Sequence, residues 1–123
     1  MIARRLPKDA KIADNFTALG KYIAAAQEEG EKLDKFWIVG CDAGEELGDL
    51  DVALAEIEAV RKQKPETKNK SYHLMVSFRP GDREKLSAEA LKDIEAEFAA
   101  ALRLQDHQRV AGTHINKDNF HMH

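Results

Sequence analysis

Three of the five histidines in the chain fall within the run His114-Ile115-Asn116-Lys117-Asp118-Asn119-Phe120-His121-Met122-His123. In a strand, residues i and i+2 point to one face, so His121 and His123 project side by side. A hairpin turn at Lys117-Asp118-Asn119 would set His114, on the preceding strand, opposite them. Three neutral imidazoles meeting at one point, with coordination positions left over, make a catalytic rather than a purely structural metal site. Such a site can polarise a phosphoryl or carbonyl oxygen. The competing interpretation is a surface hairpin that happens to be rich in histidine, or a terminal pair carried over from expression. His73 and His107 read as structural or DNA-contacting residues.

These side chains must be positioned by regular elements. Phe16, Leu19, Ile23 and Ala26 recur at helical spacing after Asp14 and predict a helix over 14–29, with Tyr22 at the edge of its stripe. Phe36-Trp37-Ile38-Val39-Gly40-Cys41 reads as a buried strand. Leu50, Ala53, Leu54, Ile57 and Val60 mark a second helix after Asp49, and a basic, Pro-containing loop over 61–70 ends it. Ser71 to Phe78 alternates, with Tyr72, Leu74, Val76 and Phe78 on one face and His73, Met75 and Ser77 on the other. Arg79-Pro80-Gly81-Asp82 is a turn. Ser87 caps a third helix with the stripe Leu91, Ile94, Phe98, Leu102, onto which Leu86 can staple. Gln108 to Ile115 forms a strand, and another starts at Phe120. The order β (or extended), α, β, α, β, α, β, β predicts an α+β fold with helices packed on a mainly antiparallel sheet.

With 123 residues the chain fits one domain, and 43% hydrophobic with 33% charged residues describes a globular protein. No apolar run reaches the length needed to span a bilayer, and the N-terminus Met-Ile-Ala-Arg-Arg-Leu-Pro has no apolar segment after its basic pair. A cytoplasmic protein without membrane insertion is expected. The single Cys41 excludes an intramolecular disulfide and a cysteine zinc cluster, and reads as a small apolar residue at a strand end. The net charge of −3 argues against a uniformly basic nucleic-acid binder. Charge is nevertheless clustered: Arg4, Arg5, Lys8 and Lys11 near the start, and Arg61, Lys62, Lys64, Lys68 and Lys70 in the loop, could each track a phosphate backbone or simply be solvated.

The run His107-Gln108-Arg109-Val110, followed by His114 and by Asp118-Asn119-Phe120-His121-Met122-His123, resembles the third motif of P-type mobilisation relaxases, members of the HUH endonuclease superfamily. Tyr72-His73-Leu74-Met75-Val76-Ser77-Phe78-Arg79 resembles the strand that precedes this motif. Phe16-Thr17-Ala18-Leu19-Gly20-Lys21-Tyr22-Ile23 resembles the family's first motif, a helix bearing a nucleophilic tyrosine. The Gly40-Cys41 strand end and the helix carrying Glu56 fall in family order.

The resemblance implies that residues 1–123 are the N-terminal portion of a relaxase domain, truncated before the rest of the HUH strand and leaving a sheet edge and part of the DNA cleft unbuilt. It implies Tyr22 as nucleophile, Asn116 and Glu56 as further catalytic residues, and a divalent metal on His114, His121 and His123. Magnesium or manganese is expected there, with zinc or nickel as substitutes. DNA contacts fall to Arg61, Lys62, Lys64, Lys68 and Arg79. The partners implied are single-stranded DNA at an origin of transfer and accessory relaxosome proteins. Where many relatives have His-x-Asp this chain has His114-Ile115-Asn116, an amide that cannot act as a base. Asp14 stands where the first motif often has serine. A rolling-circle replication initiator is the nearest alternative, but there the tyrosine usually follows the histidine motif, whereas Tyr22 precedes it. A non-catalytic metal- or single-stranded-DNA-binding fragment is the alternative from another class.

Overall fold

The structure is a computed structural model that describes residues 1–6, 15–25, 31–63, 71–116 and 119–123. Asp14, Lys64, Lys68, Lys70 and the turn residues Lys117 and Asp118 lie outside them. Five strands, β1 (Ile2–Arg5), β2 (Lys32–Val39), β3 (Leu74–Phe78), β4 (Arg109–Asn116) and β5 (Asn119–Met122), form one sheet in the order β1-β3-β5-β4-β2. Every neighbouring pair is antiparallel. Helices α1 (Phe16–Ala25), α2 (Leu50–Arg61) and α4 (Ala88–Ala101) pack on this sheet, and a single turn α3 (Asp82–Lys85) follows β3. The fold is α+β, as the patterning predicts.

Strand alternation sorts the sheet into two faces with separate cores. Trp37, Val76, Phe78, Ala111, Phe120 and Met122 pack with Leu91 and Phe98 of α4. Ile38 packs on the opposite side with Leu50, Ala53 and Leu54 of α2 and with Phe16 of α1. In register, His114 lies opposite both His121 on β5 and Leu33 on β2, which places it on the face covered by α1 and α2. The helices end where local chemistry ends them. Asn15 Oδ1 accepts from Ala18 N at 3.0 Å, so the cap of α1 is Asn15, one residue beyond the expected Asp14. Ser87 Oγ accepts from Ala90 N at 3.1 Å and caps α4 as expected. At its far end Leu104 N bonds Ala99 O and Arg103 N bonds Ala100 O, with Arg103 in the left-handed region at φ 60°, the double closure of a Schellman motif.

Several boundaries differ from expectation for physical reasons. The strand expected at Phe36–Cys41 is β2 and begins at Lys32. β2 is an edge strand; the polar residues of its first half hide it, and it carries a bulge between Leu33 and Lys35. The bulged Asp34 is held by Arg83 Nη2 at 2.7 Å and Lys35 Nζ at 2.9 Å. Burial opposes ionisation of Asp34, but these two cations outweigh it and hold its carboxyl below the usual range. Regular pairing of β3 starts at Leu74 rather than Ser71, and α3 extends the turn at Arg79–Asp82. No helix among the described residues is long and apolar enough to cross a membrane.

Candidate functional site

The β4–β5 hairpin forms, and it brings the three imidazoles of the histidine run together. Ring centroids are 5.4 Å apart for His114 and His121, 4.8 Å for His114 and His123, and 5.0 Å for His121 and His123. One ring nitrogen from each lies within 4.8 Å of the others, a group able to hold a metal ion. Ligand atoms around a tetrahedral ion with bonds near 2.1 Å stand about 3.4 Å apart, so nitrogens within 4.8 Å of one another must close in by at most about 1.4 Å.

Hydrogen bonding fixes how these rings present their nitrogens. His114 is wholly buried, and its Nε2 lies 2.6 Å from the main-chain carbonyl of Ile23. A carbonyl can only accept, so Nε2 carries the proton and the Nδ1 of the neutral ring is a bare lone pair. That Nδ1 is buried without a hydrogen-bond partner, and it faces Glu31 Oε2 at 3.4 Å. A lone pair against a carboxylate oxygen in the interior is repulsive unless a cation or proton lies between them. The second oxygen of Glu31 is 2.7 Å from His121 Nε2, and the Glu31 side chain is only 4% exposed. One buried carboxylate thus touches two of the three imidazoles: it can accept from His121 Nε2, as the partners of metal-binding histidines do, and it stands as a counter-charge beside His114 Nδ1. The orphaned nitrogen, the imidazole donor set and the buried counter-charge all fit a divalent cation.

The contact of Glu31 with two of these rings carried no signal in the sequence. It follows the acidic pair Glu28-Glu29 and Gly30, and no spacing rule links it to histidines more than eighty residues away. Only the start of β2, antiparallel to β4, delivers it.

The third imidazole has a different neighbour. His123 Nδ1 lies 2.8 Å from His73 Nε2, their ring centroids 5.0 Å apart. Burial, reinforced by His73, His114 and His121, pushes the His123 imidazole down to about 3. Burial, with His114 adding to it, lowers His73 as well. Both rings are therefore neutral at neutral pH, the form in which an imidazole can ligate.

Tyr22 stands edge-on to His123, with ring centroids 6.5 Å apart and an interplanar angle of 89°. Two glycines let α1 come close enough to place it there. A Cβ on Gly20 would meet Leu54 Cδ2 at 2.8 Å, and one on Gly112 would meet Ile23 Cγ2 at 2.8 Å. The first brings α1 against α2; the second brings it down onto β4, where the Ile23 carbonyl reaches His114.

The remaining expected residues are placed as follows. Asn116 is two residues beyond His114 on the same face of β4, paired with Asn119 across the hairpin. Glu56 accepts from Asp42 N at 2.8 Å, Ala43 N at 3.0 Å and Gln108 Nε2 at 3.3 Å, so its carboxylate binds the loop after β2 to α2. Arg61 pairs with Glu58 at 2.8 Å and lies 6.0 Å over the Phe16 ring. Lys62, Arg79 and His107 are exposed, while Lys64 and Lys68 fall outside the described residues. Cys41 is half-buried; burial, with Glu56 and Asp42 nearby, pushes its thiol up to about 11.

The family model described as "Relaxase: MobA/VirD2-like, nuclease domain" matches residues 22–123. Two curated proteins from Escherichia coli, both called Protein TraI, are 36% and 34% identical to this chain over 124 residues. Those alignments cover 100% of the chain, which spans 16% of the length of each relative. No solved structure matches.

Proposed function

From the premise that the chain belongs to the MobA/VirD2-like relaxase nuclease family, we propose that it nicks and rejoins one DNA strand through a covalent 5′-phosphotyrosine, for plasmid mobilisation or conjugation. The observation that carries this reading is the position of Tyr22 against His123, on the sheet face that gathers His114, His121 and His123. A nucleophile and a phosphate-polarising group must approach one phosphodiester together, and proximity of this kind is where much of the rate comes from.

A divalent cation held by His114, His121 and His123, magnesium or manganese with zinc or nickel as substitutes, would withdraw charge from a non-bridging phosphate oxygen. The Tyr22 phenol attacks phosphorus; its oxygen–phosphorus bond forms as the bond to the 3′ oxygen breaks. The phenolic proton is released, and the 3′ oxygen takes up a proton and leaves as a free hydroxyl. A phenol with an ordinary pKa about 10 is a better leaving group than an alkyl alcohol, so the same hydroxyl can reverse the step and reseal the strand. Glu31 orients His121 by accepting from its Nε2 and places negative charge beside His114 Nδ1, while the Ile23 carbonyl orients His114. Asn116, an amide, serves by hydrogen bonding to DNA and not as a base. Glu56 acts at one remove, by fixing the loop that joins β2 to α2.

In this reading Lys62, Lys64, Lys68 and Arg79 contact the DNA backbone, and Arg61 anchors the start of the basic stretch. Single-stranded DNA at an origin of transfer is the substrate, accessory relaxosome proteins are partners, and the cytoplasm is the compartment. The test is incubation of the protein and manganese with single-stranded oligonucleotides tiled across a transfer origin, followed by denaturing electrophoresis. A shifted protein–DNA adduct that disappears in Tyr22→Phe is the expected result. An adduct that persists in Tyr22→Phe would overturn the assignment of the nucleophile. DNA and metal binding without any adduct would favour a non-catalytic binding fragment.

A further inference from the structure

We propose that His73 is a positioning residue that holds His123 in the Nδ1-protonated tautomer, and so keeps the His123 Nε2 lone pair available to a metal ion. The inference rests on the metal reading of the histidine cluster and extends it to a residue outside that cluster.

His73 Nε2 and His123 Nδ1 are 2.8 Å apart, a hydrogen-bond distance, and an imidazole nitrogen cannot both donate and accept. With two neutral rings a single proton occupies the bridge, leaving two arrangements. If His73 donates, the neutral His123 ring must carry its own proton on Nε2, and neither of its nitrogens can ligate. If His123 donates from Nδ1, its Nε2 is a bare lone pair. The second arrangement is the only one in which His123 can join His114 and His121 around an ion.

His114 supports this choice independently. Its Nε2 proton is committed to the Ile23 carbonyl, and the Nδ1 lone pair is buried without a hydrogen bond. The two imidazoles, 4.8 Å apart at their centroids, then follow one logic: each spends its proton on an outside acceptor and turns a lone pair to ligation. For His114 the acceptor is a main-chain carbonyl; for His123 it is another imidazole. His73 can take this role because it immediately precedes β3 and alternation puts it on the histidine face, on the strand that pairs with β5. It also borders a cavity of about 560 Å³, where water can satisfy the proton left on its own Nδ1.

The first test uses the metal-free wild-type protein labelled with ¹⁵N-histidine. Long-range ¹H–¹⁵N correlation should show His123 protonated at Nδ1 and bare at Nε2; protonation at Nε2 would overturn the proposal. The second test measures manganese affinity by electron paramagnetic resonance for His73→Gln and His73→Leu. A Gln amide oxygen can accept near the position of Nε2, so His73→Gln should stay within roughly threefold of wild type. His73→Leu has no acceptor and should bind about 10- to 100-fold more weakly, the range found for partners of metal-ligating histidines. Equal affinity in His73→Leu and wild type would also overturn the proposal. Should wild type bind no manganese, the metal reading itself fails, and the tautomer measurement still decides the role of His73.

Discussion

His114 Nε2 donates to the carbonyl of Ile23 across 2.6 Å, and Ile23 directly follows Tyr22 on the same helix. The orientation of His114 and the location of Tyr22 are therefore set by one object, the seating of α1 on β4.

Gly112 is the point at which that seating can be broken. A methyl group there would meet Ile23 Cγ2 at 2.8 Å, with the Ile23 carbonyl and Leu33 Cδ1 also in contact range. Ile23 is β-branched and stiff, so the helix has to lift. Gly112→Ala should cost roughly 1–3 kcal/mol in urea unfolding, as overpacking does. It should also weaken manganese binding in calorimetry, although Gly112 is not a ligand. Unchanged binding would show that the carbonyl does not orient His114.

The histidine cluster predicts an order of metals. Imidazole nitrogen suits manganese, nickel and zinc better than magnesium, which prefers oxygen. Calorimetric affinity should be higher for each of those three than for magnesium, and should drop at least about tenfold in His121→Ala. Glu31→Gln should give a comparable loss while leaving the fold intact, because it removes the buried charge that faces both His114 and His121. If His121→Ala binds manganese as wild type does, the site is not where the three rings meet.

The Cys41 thiol, pushed up to about 11 by burial and by Glu56 and Asp42, should be slow to alkylate. An acid whose pKa is raised stays protonated, so at pH 8 only about one molecule in a thousand carries the reactive thiolate, against roughly one in four for an unperturbed thiol. Iodoacetamide labelling of the native protein should therefore climb about tenfold per pH unit from 8 to 10. Unfolded protein should label fast and level off near pH 9. Glu56→Gln should speed native labelling. A native rate equal to the unfolded one would mean that the loop after β2 does not enclose the thiol.

Weak, salt-dependent binding of single-stranded DNA is expected from the basic stretch after α2. Reversing Lys62, Lys64 and Lys68 to Glu together should reduce affinity in low-salt fluorescence anisotropy and flatten its dependence on salt concentration. Indifference to the triple change would make this stretch an ordinary solvated surface.

The parts of this arrangement that could be read from the chain are those written in short-range spacing. His121 lies in β5 and His123 extends it by one residue, bonded to Gly112 through its backbone, with His114 seven residues before His121, so alternation and a turn suffice to bring them together. The stripes of α2 and α4 and the Ser87 cap were legible for the same reason. Glu31 was not, because it acts through the pairing of β2 with β4, and the polar edge of β2 masks that strand. The partnership of His73 with His123 was equally hidden, since alternation says which face a residue takes but not which distant strand it will meet. Glu56 was placed by family order alone; its three hydrogen bonds to the loop after β2 and to Gln108 depend on how α2 docks, which no local pattern encodes.

The same difference in sequence distance has a consequence for how the site comes into being. His114 and His121 pair across a hairpin, a contact that closes a short loop and can form in about 1–10 μs. The hydrogen-bond partners of the cluster arrive from much farther away: Ile23 is 91 residues from His114, and His73 is 50 from His123. Long loops close later and at greater entropic cost. A chain that folds in the presence of manganese therefore meets the ion first with an unordered pair of imidazoles, and only afterwards with the helix and strand that orient them. Capture of the metal should accordingly be biphasic in stopped flow, with a loose fast phase governed by the hairpin and a tight slow one that tracks the docking of α1.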